Sequence, residues 1–204
     1  MEEWMKQLEH CTLCPRACGV NRITGNTGAC HTDAQMRVAR AALHFWEEPC
    51  ISGQEGSGAI FFTGCALGCV FCQNTDISRG QAGKTVTVEQ LARICLNLQA
   101  QGANNINLVT AGHYLPAVAE ALKLAKAQGL QIPVVYNSSG YEKPEALRLL
   151  DGLVDIYLPD MKYMDADLAR KYSHAGDYPE VAKIALAEMV RQCPEAEFDE
   201  RGLM

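Results

Sequence analysis

Short apolar runs alternate with amphipathic stretches along the chain from residue 58 onwards. The runs are rich in Val, Ile and Leu without regular alternation, which is typical of strands buried on both faces. They predict four strands, at 58–62, 106–110, 132–137 and 153–159. Apolar positions spaced three and four residues apart predict helices at 87–102, 115–129, 143–152, 165–173 and 179–192. This order predicts parallel βαβ units and an α/β fold.

Two of the predicted helices carry start signals. Thr87 and Gln90 form a capping-box pair at the first helix. Asp177 and Glu180 give a similar signal at the last helix. Ahead of the first strand, residues 36–46 alternate in part and predict an extended segment.

The chain divides into three predicted segments. Residues 1–32 are rich in cysteine and turn residues and have little periodicity, which predicts a small cysteine-rich metal-binding module. Residues 33–57 form a connecting segment, and residues 58–204 form the α/β core.

Composition and charge exclude several classes of protein. Hydrophobic residues make up 48% and charged residues 21% of the 204 positions, the balance of a soluble globular protein. No apolar run reaches 18 residues, and the first ten residues contain two acids, so we expect neither a transmembrane helix nor a secretory signal. The net charge of -6 disfavours a nucleic-acid partner. We therefore expect a cytoplasmic protein without membrane or nucleic-acid partners.

Ten cysteines carry the candidate chemistry. In a reducing compartment, clustered cysteines are more often metal ligands or catalytic groups than disulfides. Seven of them fall into two groups. The first contains Cys11, Cys14, Cys18 and Cys30, and the second contains Cys65, Cys69 and Cys72.

The second group has the spacing C-x3-C-x2-C and directly follows the first predicted strand. Three thiolates at Cys65, Cys69 and Cys72 can hold a compact [4Fe–4S] cluster, and Gly64 and Gly68 permit a loop that turns backbone N–H groups toward the sulfurs. The loop has no fourth cysteine, so one iron would keep an open position for a substrate or cosubstrate. Functional groups collect at the carboxyl ends of strands in α/β folds, where this loop is predicted to lie.

This spacing, together with the aromatic Phe71 before the third cysteine, resembles the radical S-adenosylmethionine (SAM) superfamily. The resemblance implies that SAM chelates the open iron of a cluster held by Cys65, Cys69 and Cys72. The reduced cluster would cleave SAM to a 5′-deoxyadenosyl radical, which abstracts hydrogen from substrate. It further implies that Phe71 lies near the adenine, and that a flavodoxin or ferredoxin supplies the electron.

A closer resemblance covers about residues 11 to 204. The stretches CTLCPRACGVNR, HFWEEPCISG, GSGAIFFTGC and CQNTDISRG resemble pyruvate formate-lyase activating enzyme-related proteins of the PflX type. Activating enzymes of the broader group install a glycyl radical on a partner enzyme. The resemblance therefore implies either a glycyl-radical enzyme or another protein as substrate, and a small molecule stays open.

The resemblance also implies residues that contact SAM. The superfamily often ends its second strand with a Gly-Gly-Glu-like triad for the amino group of SAM, whereas this chain has Thr110 and Gly112 in that stretch and no glutamate. His113 is a candidate acid or base, or a loop residue that caps the following helix. Ser139 follows the third strand.

After the fourth strand, Asp160 and Lys162 resemble the Asp-x-Lys of glycyl-radical activating enzymes. Lys162 would meet a carboxylate or ribose oxygen of SAM, and Asp160 would orient it. The alternative for these two residues is a solvated ion pair in a loop.

The first cysteine group leaves alternatives open. Four cysteines can close a tetrahedral zinc site, which would fold a segment that has little core of its own. They can equally hold an auxiliary iron–sulfur cluster. Free thiols are the third possibility.

A radical SAM core resembles six βα units, and about four are predicted here. We therefore expect a partial (β/α)6 barrel that ends before a fifth and sixth strand and leaves its fourth strand with an unpaired edge. Three other functions remain open: a zinc-binding protein, an electron-transfer iron–sulfur protein indifferent to SAM, and a relative that has lost catalysis.

Overall fold

The computed structural model describes residues 3–204, which form a sheet with helices packed on it. The strands are β1 Arg37–His44, β2 Ser57–Phe62, β3 Lys84–Thr85, β4 Ile106–Val109, β5 Val134–Ser138 and β6 Ile156–Pro159. The helices are α1 Glu3–Lys6, α2 Pro49–Ser52, α3 Thr75–Ser78, α4 Val88–Ala100, α5 Leu115–Ala127, α6 Pro144–Leu147, α7 Ala166–Ser173 and α8 Tyr178–Gln192. No helix in this part of the chain is both long and apolar enough to cross a membrane.

The sheet has the strand order β3-β1-β2-β4-β5-β6. The strands β2, β4, β5 and β6 pair in parallel, which confirms the four strands and the α/β fold predicted from the apolar runs. The predicted extended segment forms β1, which pairs antiparallel with β2 and with the short β3. Within the described residues, β3 and β6 form the two edges of the sheet.

The parallel strands are buried on both faces. On one face, Ile106 and Leu108 of β4 pack in the main core with residues of α4, α5 and α8. On the other face, Val135 and Ile156 pack with Ile51 of α2 in a smaller apolar cluster. Burial on both faces accounts for the unbroken apolar runs of these strands.

The start signals of the two helices have different outcomes. The Thr87 hydroxyl accepts from the Gln90 backbone N–H, and the Gln90 side chain accepts from the Thr87 backbone N–H, so the capping box predicted for α4 is confirmed. The start predicted for α8 is also found, since Asp177 is its N-cap residue and Glu180 lies in its first turn, but the Asp177 side chain makes no capping bond. Its carboxylate instead accepts from the Tyr141 hydroxyl at 2.8 Å.

The helix predicted at 143–152 is also shorter than expected. Its α-helical part, α6, ends at Leu147, and Arg148–Leu150 form a 3-10 turn. Asp151 then takes an extended conformation, and its carboxylate pairs with Arg191 of α8 at 2.6 Å. A contact with another helix therefore coincides with the end of this segment.

The described part of the cysteine-rich segment, residues 3–32, contains one short helix and is held by a buried arginine. Arg22 is 1% exposed. Its guanidinium donates to the carbonyl of His113 at 2.7 Å and to the carbonyl of Asp33 at 2.6 Å. A cation-π contact at 5.6 Å joins the same group to the Tyr114 ring. These contacts attach the segment to the start of α5.

Candidate functional site

The three-cysteine loop begins directly after β2 and is tightly constrained there. Gly64 has φ +93°, a conformation that residues with a side chain rarely adopt. A Cβ at this position would lie 2.5 Å from Thr32 Cγ2 and 2.6 Å from the carbonyl oxygen of Cys30. The Cys65 backbone N–H donates to that same carbonyl at 3.2 Å. The sequence thus needs glycine here so that the loop can pack against the cysteine-rich segment.

The sulfurs of the loop lie near one another. Cys65, Cys69 and Cys72 are all reduced and partly buried. Burial raises the pKa of the Cys65 thiol, and electrostatic repulsion from the nearby Cys69 and Cys72 sulfurs raises it further. Backbone N–H groups of Gly68 and Leu67 bond the Cys65 sulfur and act in the opposite direction. N–H groups aimed at a sulfur are the arrangement that stabilises a thiolate ligand of a cluster.

Arg16 clamps this loop from the cysteine-rich segment. Its guanidinium donates to the carbonyls of Ala66 at 2.9 Å and Leu67 at 3.1 Å. It also donates to the carbonyls of Ser173 and His174 at the end of α7. One side chain therefore joins the cysteine-rich segment, the loop and a helix from the far end of the chain.

A small cavity lies between the loop and the carboxyl ends of β4 and β5. It is lined by Cys65, Ala66, Leu67, Thr110, Gly112, His113, Ser138, Ser139, Tyr141 and Glu142. Four residues singled out at the strand ends, Thr110, Gly112, His113 and Ser139, thus come together beside Cys65. Larger surface cavities of about 460 and 420 Å³ do not border the loop.

Thr110 is strained at the end of β4. Its φ of +59° is unusual for a β-branched residue. Its backbone N–H donates to the Asn137 carbonyl of β5 at 2.9 Å, so the sheet itself holds it in place. Strained backbone at a strand end is often associated with a binding site.

Sequence reasoning missed Glu142, which also lines this cavity. Its side chain is buried, and its Oε1 accepts from the Tyr136 hydroxyl at 2.9 Å. Burial raises the pKa of this carboxyl to about 7, against the opposing effect of hydrogen bonds from Tyr136 and Ser138. The only signal in the sequence is a glutamate four residues after a strand end, and burial depends on tertiary packing that local sequence does not reveal.

His113 does not fit the role of acid or base that was suggested for it. It is fully enclosed, and its Nε2 lies 2.7 Å from the Thr63 carbonyl oxygen. Burial lowers the pKa of His113 to about 3, so the ring is neutral at pH 7. The neutral ring can donate from Nε2 to Thr63, which braces the residue before the loop rather than moving a proton.

Asp160 and Lys162 lie outside the residues that line the cavity. Their side chains form an ion pair at 2.6 Å, with 61% of the Asp160 side chain and 32% of the Lys162 side chain exposed. The Tyr178 hydroxyl connects this loop to the cavity, because it lies 2.6 Å from the Ser139 carbonyl and accepts from the Lys162 backbone N–H at 2.8 Å. An exposed pair of this kind contributes little to stability.

Phe71 lies on the outer side of the cysteine loop. It is 55% exposed. Its ring makes edge contacts with Tyr163 at 6.1 Å and Tyr172 at 6.4 Å between centroids. An aromatic face therefore remains open beside Cys72.

The N-terminal cysteines are close together but do not form a metal-ion site. Cys11, Cys14 and Cys30 are buried, whereas Cys18 is exposed. Burial raises the pKa of Cys14 to about 12, and the charges of Cys30, Glu142 and Cys11 add to this shift. Across residues 3–204, no three His, Cys, Asp or Glu side chains are gathered to hold a single metal ion. The arrangement therefore gives no support to zinc.

The loop meets the chemical requirements of a cluster that is wider than one ion. It offers three neighbouring sulfurs, N–H donors to the first of them, and a glycine-permitted turn at Gly68, where φ is +64°. A Cβ at Gly68 would meet nothing closer than an Arg79 nitrogen at 3.9 Å, so the turn faces open space. These residues fit a [4Fe–4S] cluster.

Comparison with known proteins agrees with this chemistry. The family model of the radical SAM superfamily matches residues 59–193, which is more than half of the chain. An uncharacterized protein of Methanocaldococcus jannaschii is 32% identical over 182 residues, which cover 86% of this chain and 52% of that protein. The pyruvate formate-lyase-activating enzyme of Clostridium pasteurianum is 30% identical over 113 residues, which cover 53% of this chain and 46% of that enzyme. The chain thus spans about half the length of the curated relatives it matches.

Proposed function

Because the chain belongs to the radical SAM superfamily, we propose that Cys65, Cys69 and Cys72 hold a [4Fe–4S] cluster and that SAM binds beside it. When bound and reduced, the cluster supplies the electron that cleaves SAM to a 5′-deoxyadenosyl radical for hydrogen abstraction. The observation that carries the proposal is the three-cysteine loop at the end of β2, which borders a cavity of about 10 Å³ at the ends of β4 and β5.

The protein's own residues orient SAM in this proposal. Thr110, Gly112 and Ser139 line the cavity beside Cys65 and offer backbone and hydroxyl groups to the methionine end of SAM. Phe71 offers its exposed ring to the adenine. Lys162 and Asp160 lie outside the cavity lining and are linked to Ser139 through the Tyr178 hydroxyl. In this proposal the Lys162 ammonium pairs with a carboxylate or ribose oxygen of SAM.

A low-potential electron donor, a flavodoxin or ferredoxin, completes the reaction because the cluster must be reduced before SAM is cleaved. The name of the Clostridium pasteurianum relative supports an activating-enzyme-like reaction, in which the hydrogen comes from a glycine of a partner enzyme. The resemblance to PflX-type proteins supports the same activating-enzyme-like reaction in this proposal. Cys11, Cys14, Cys18 and Cys30 would form a second site, for a metal ion or an auxiliary cluster, when these ligands are brought together.

The proposal predicts that Cys65→Ala abolishes the cluster. After anaerobic reconstitution, the wild-type protein should bind iron and sulfide and show a reduced [4Fe–4S] EPR signal that shifts on addition of SAM. Cys65→Ala should lose this SAM-sensitive signal because two thiolates cannot hold the cluster. Cys193→Ala is the matched control, since Cys193 is a partly buried thiol near Val154, at the opposite ends of the strands.

Two results would contradict the proposal. A cluster signal that is indifferent to SAM would indicate electron transfer or a relative that has lost catalysis. A colourless wild-type protein that binds zinc and no sulfide would indicate a structural metal protein.

A further inference from the structure

Two asparagines on neighbouring strands hold a carboxylate on the sheet face opposite the long helices. Asn107 of β4 alternates with Ile106 and Leu108, which pack in the main core, so Asn107 lies on the other face. Its side-chain amide donates to Glu47 Oε2 at 3.1 Å, and the side-chain amide of Asn137 on β5 donates to the same oxygen at 3.0 Å. The two strands therefore position a carboxylate that belongs to the loop before α2.

This carboxylate has acidic neighbours. Burial raises the pKa of Glu47, the hydrogen bond and charge of Glu48 raise it further, and Asp160 adds a smaller effect. Within residues 3–204, no Lys, Arg or His nitrogen forms an ion pair with Glu47 or Glu48. Asp160 is already paired with Lys162. Repulsion between neighbouring carboxylates favours the binding of a cation.

An acceptor beside the carboxylate has no donor in the described part of the chain. Asn107 is fully buried, and the Oδ1 of the amide that bonds Glu47 forms no hydrogen bond. A buried polar atom without a partner costs free energy. Among the described residues, no three acidic, Cys or His groups are gathered here for a single metal ion. A ligand that satisfies both the carboxylate and the amide oxygen is therefore a cation with several N–H donors.

The acidic pair is open to solvent and connected to the proposed SAM cavity. Glu48 is exposed, and Trp46, just before the pair, is 89% exposed. The faces of exposed aromatic rings attract cations. The Asn137 carbonyl accepts from the Thr110 N–H at 2.9 Å, and Thr110 lines the cavity beside the cysteine loop. A substrate held at the acidic pair would therefore extend toward the cluster.

We propose that Glu47 and Glu48, together with the Asn107 amide oxygen, bind the cationic side chain of a lysine or arginine in a peptide substrate. The ammonium of lysine has three N–H donors and the guanidinium of arginine has five, so either can bond the carboxylate and the amide oxygen together. A peptide is the ligand because the proposed function takes a partner protein as substrate, and this inference rests on that function. The cationic residue would anchor the peptide so that a neighbouring residue faces the SAM cavity.

The test measures the binding of three peptides to the cluster-loaded protein by isothermal titration calorimetry. The peptides are acetylated, amidated, glycine-containing pentapeptides that differ at one position, which is arginine, lysine or the neutral arginine analogue citrulline. The variants are Glu47→Gln and Glu145→Gln. Glutamine keeps an oxygen that can accept from the Asn107 and Asn137 amides. Glu145 is the control because it is exposed on α6, which packs on the main core, and its variant changes the net charge equally.

We expect the wild-type protein to bind the arginine or lysine peptide about fivefold more tightly than the citrulline peptide, the gain from one partly exposed ion pair. Glu47→Gln should lose this preference, and Glu145→Gln should keep it. The comparison of peptides on the wild-type protein does not depend on the folding of a variant.

Equal binding of the three peptides by the wild-type protein, binding of none of them, or a preference that survives in Glu47→Gln would overturn this inference. The SAM-sensitive signal of the same cluster-loaded protein tests the proposed function separately. With that signal intact, failure of the peptide test overturns only the role of the acidic pair. A protein that prefers the cationic peptides while its cluster ignores SAM would overturn the proposed function, and with it the assignment of the peptide as substrate.

Discussion

At the residue scale, Gly64 has a left-handed backbone conformation and close neighbours. Alanine substitutions at two glycines can separate how much each feature contributes to the free energy of unfolding. Gly64→Ala should destabilise the protein by more than the roughly 1–2 kcal/mol of a left-handed residue, because the new Cβ would also collide with Thr32 and Cys30. Gly25→Ala is the control, since Gly25 has φ +85° with nothing within 4 Å of its added Cβ. Urea unfolding of the metal-free proteins measures both changes. If Gly64→Ala and Gly25→Ala lowered the free energy of unfolding equally, the neighbours of Gly64 would have moved to make room for the new Cβ.

Glu142 gives the free energy of unfolding a pH dependence. Its pKa is about 7 when folded and 4.5 in its ordinary range, so between these values the folded protein holds a proton that the unfolded chain releases. Stability therefore falls as pH rises from about 4.5 to 7, by up to about 3 kcal/mol. Glu142→Gln should lack this contribution. Urea unfolding of the metal-free wild type and variant at pH 5 and pH 8 measures the difference, and parallel changes in both would contradict it.

Residues differ in how far the sequence reveals them. The spacing of Cys65, Cys69 and Cys72 depends on local sequence alone, so their proximity was predictable. The importance of Glu142 comes from burial under segments distant in sequence, and the neutrality of His113 has the same origin. The sequence gives the type of each residue, but the burial that sets its protonation state comes from the folded structure.

At the element scale, the capping box of α4 carries a local stability contribution. Thr87→Ala removes the hydroxyl that accepts from the Gln90 N–H and should cost about 1 kcal/mol. Thr27→Ala is a suitable control because Thr27 is exposed in a loop. Thermal or urea unfolding measures the loss. A Thr87→Ala protein as stable as the control variant would show that water replaces the cap.

Elements were predictable where the signal was local and strong. The apolar runs gave the four parallel strands, and Thr87 with Gln90 gave the start of α4. Contacts elsewhere decide two local details. Asp177 stands at the N-cap of α8, but its carboxylate accepts from Tyr141 and makes no capping bond. The helix predicted to run to residue 152 ends earlier, and Asp151 pairs with Arg191. The pairing of β1 with β2 was not visible because pairing is a non-local property.

At the scale of the whole molecule, Arg16 holds three distant segments together. Arg16→Ala should loosen the cysteine loop, because the carbonyls of Ala66 and Leu67 lose their donor. We expect faster loss of the reconstituted cluster to a chelator and faster amide exchange across the loop. Arg40→Ala is the control, since Arg40 is exposed on β1. Unchanged rates in Arg16→Ala would show that the loop is ordered without the clamp.

Contacts of two arginines help to order the cysteine-rich segment, and the sequence did not reveal them. Residues 1–32 were expected to form a metal-binding module because they are rich in cysteine and turn residues and have little periodicity. In the structure, the buried Arg22 and the clamp of Arg16 already tie the described part of this segment to the core. A long-range hydrogen bond of a single side chain produces no periodic pattern in the sequence, so it could not be predicted.

The span of the Arg16 contacts also bears on how the protein is made. Arg16 and its acceptor Ser173 are 157 positions apart. At about 5–20 residues per second of synthesis, roughly 8–30 s separate their appearance. The three thiols of the loop emerge from the ribosome within this interval, before the clamp can close. The nascent chain therefore passes through a period in which its ligands are accessible to iron delivery and equally to oxidation, and the speed of translation sets its length.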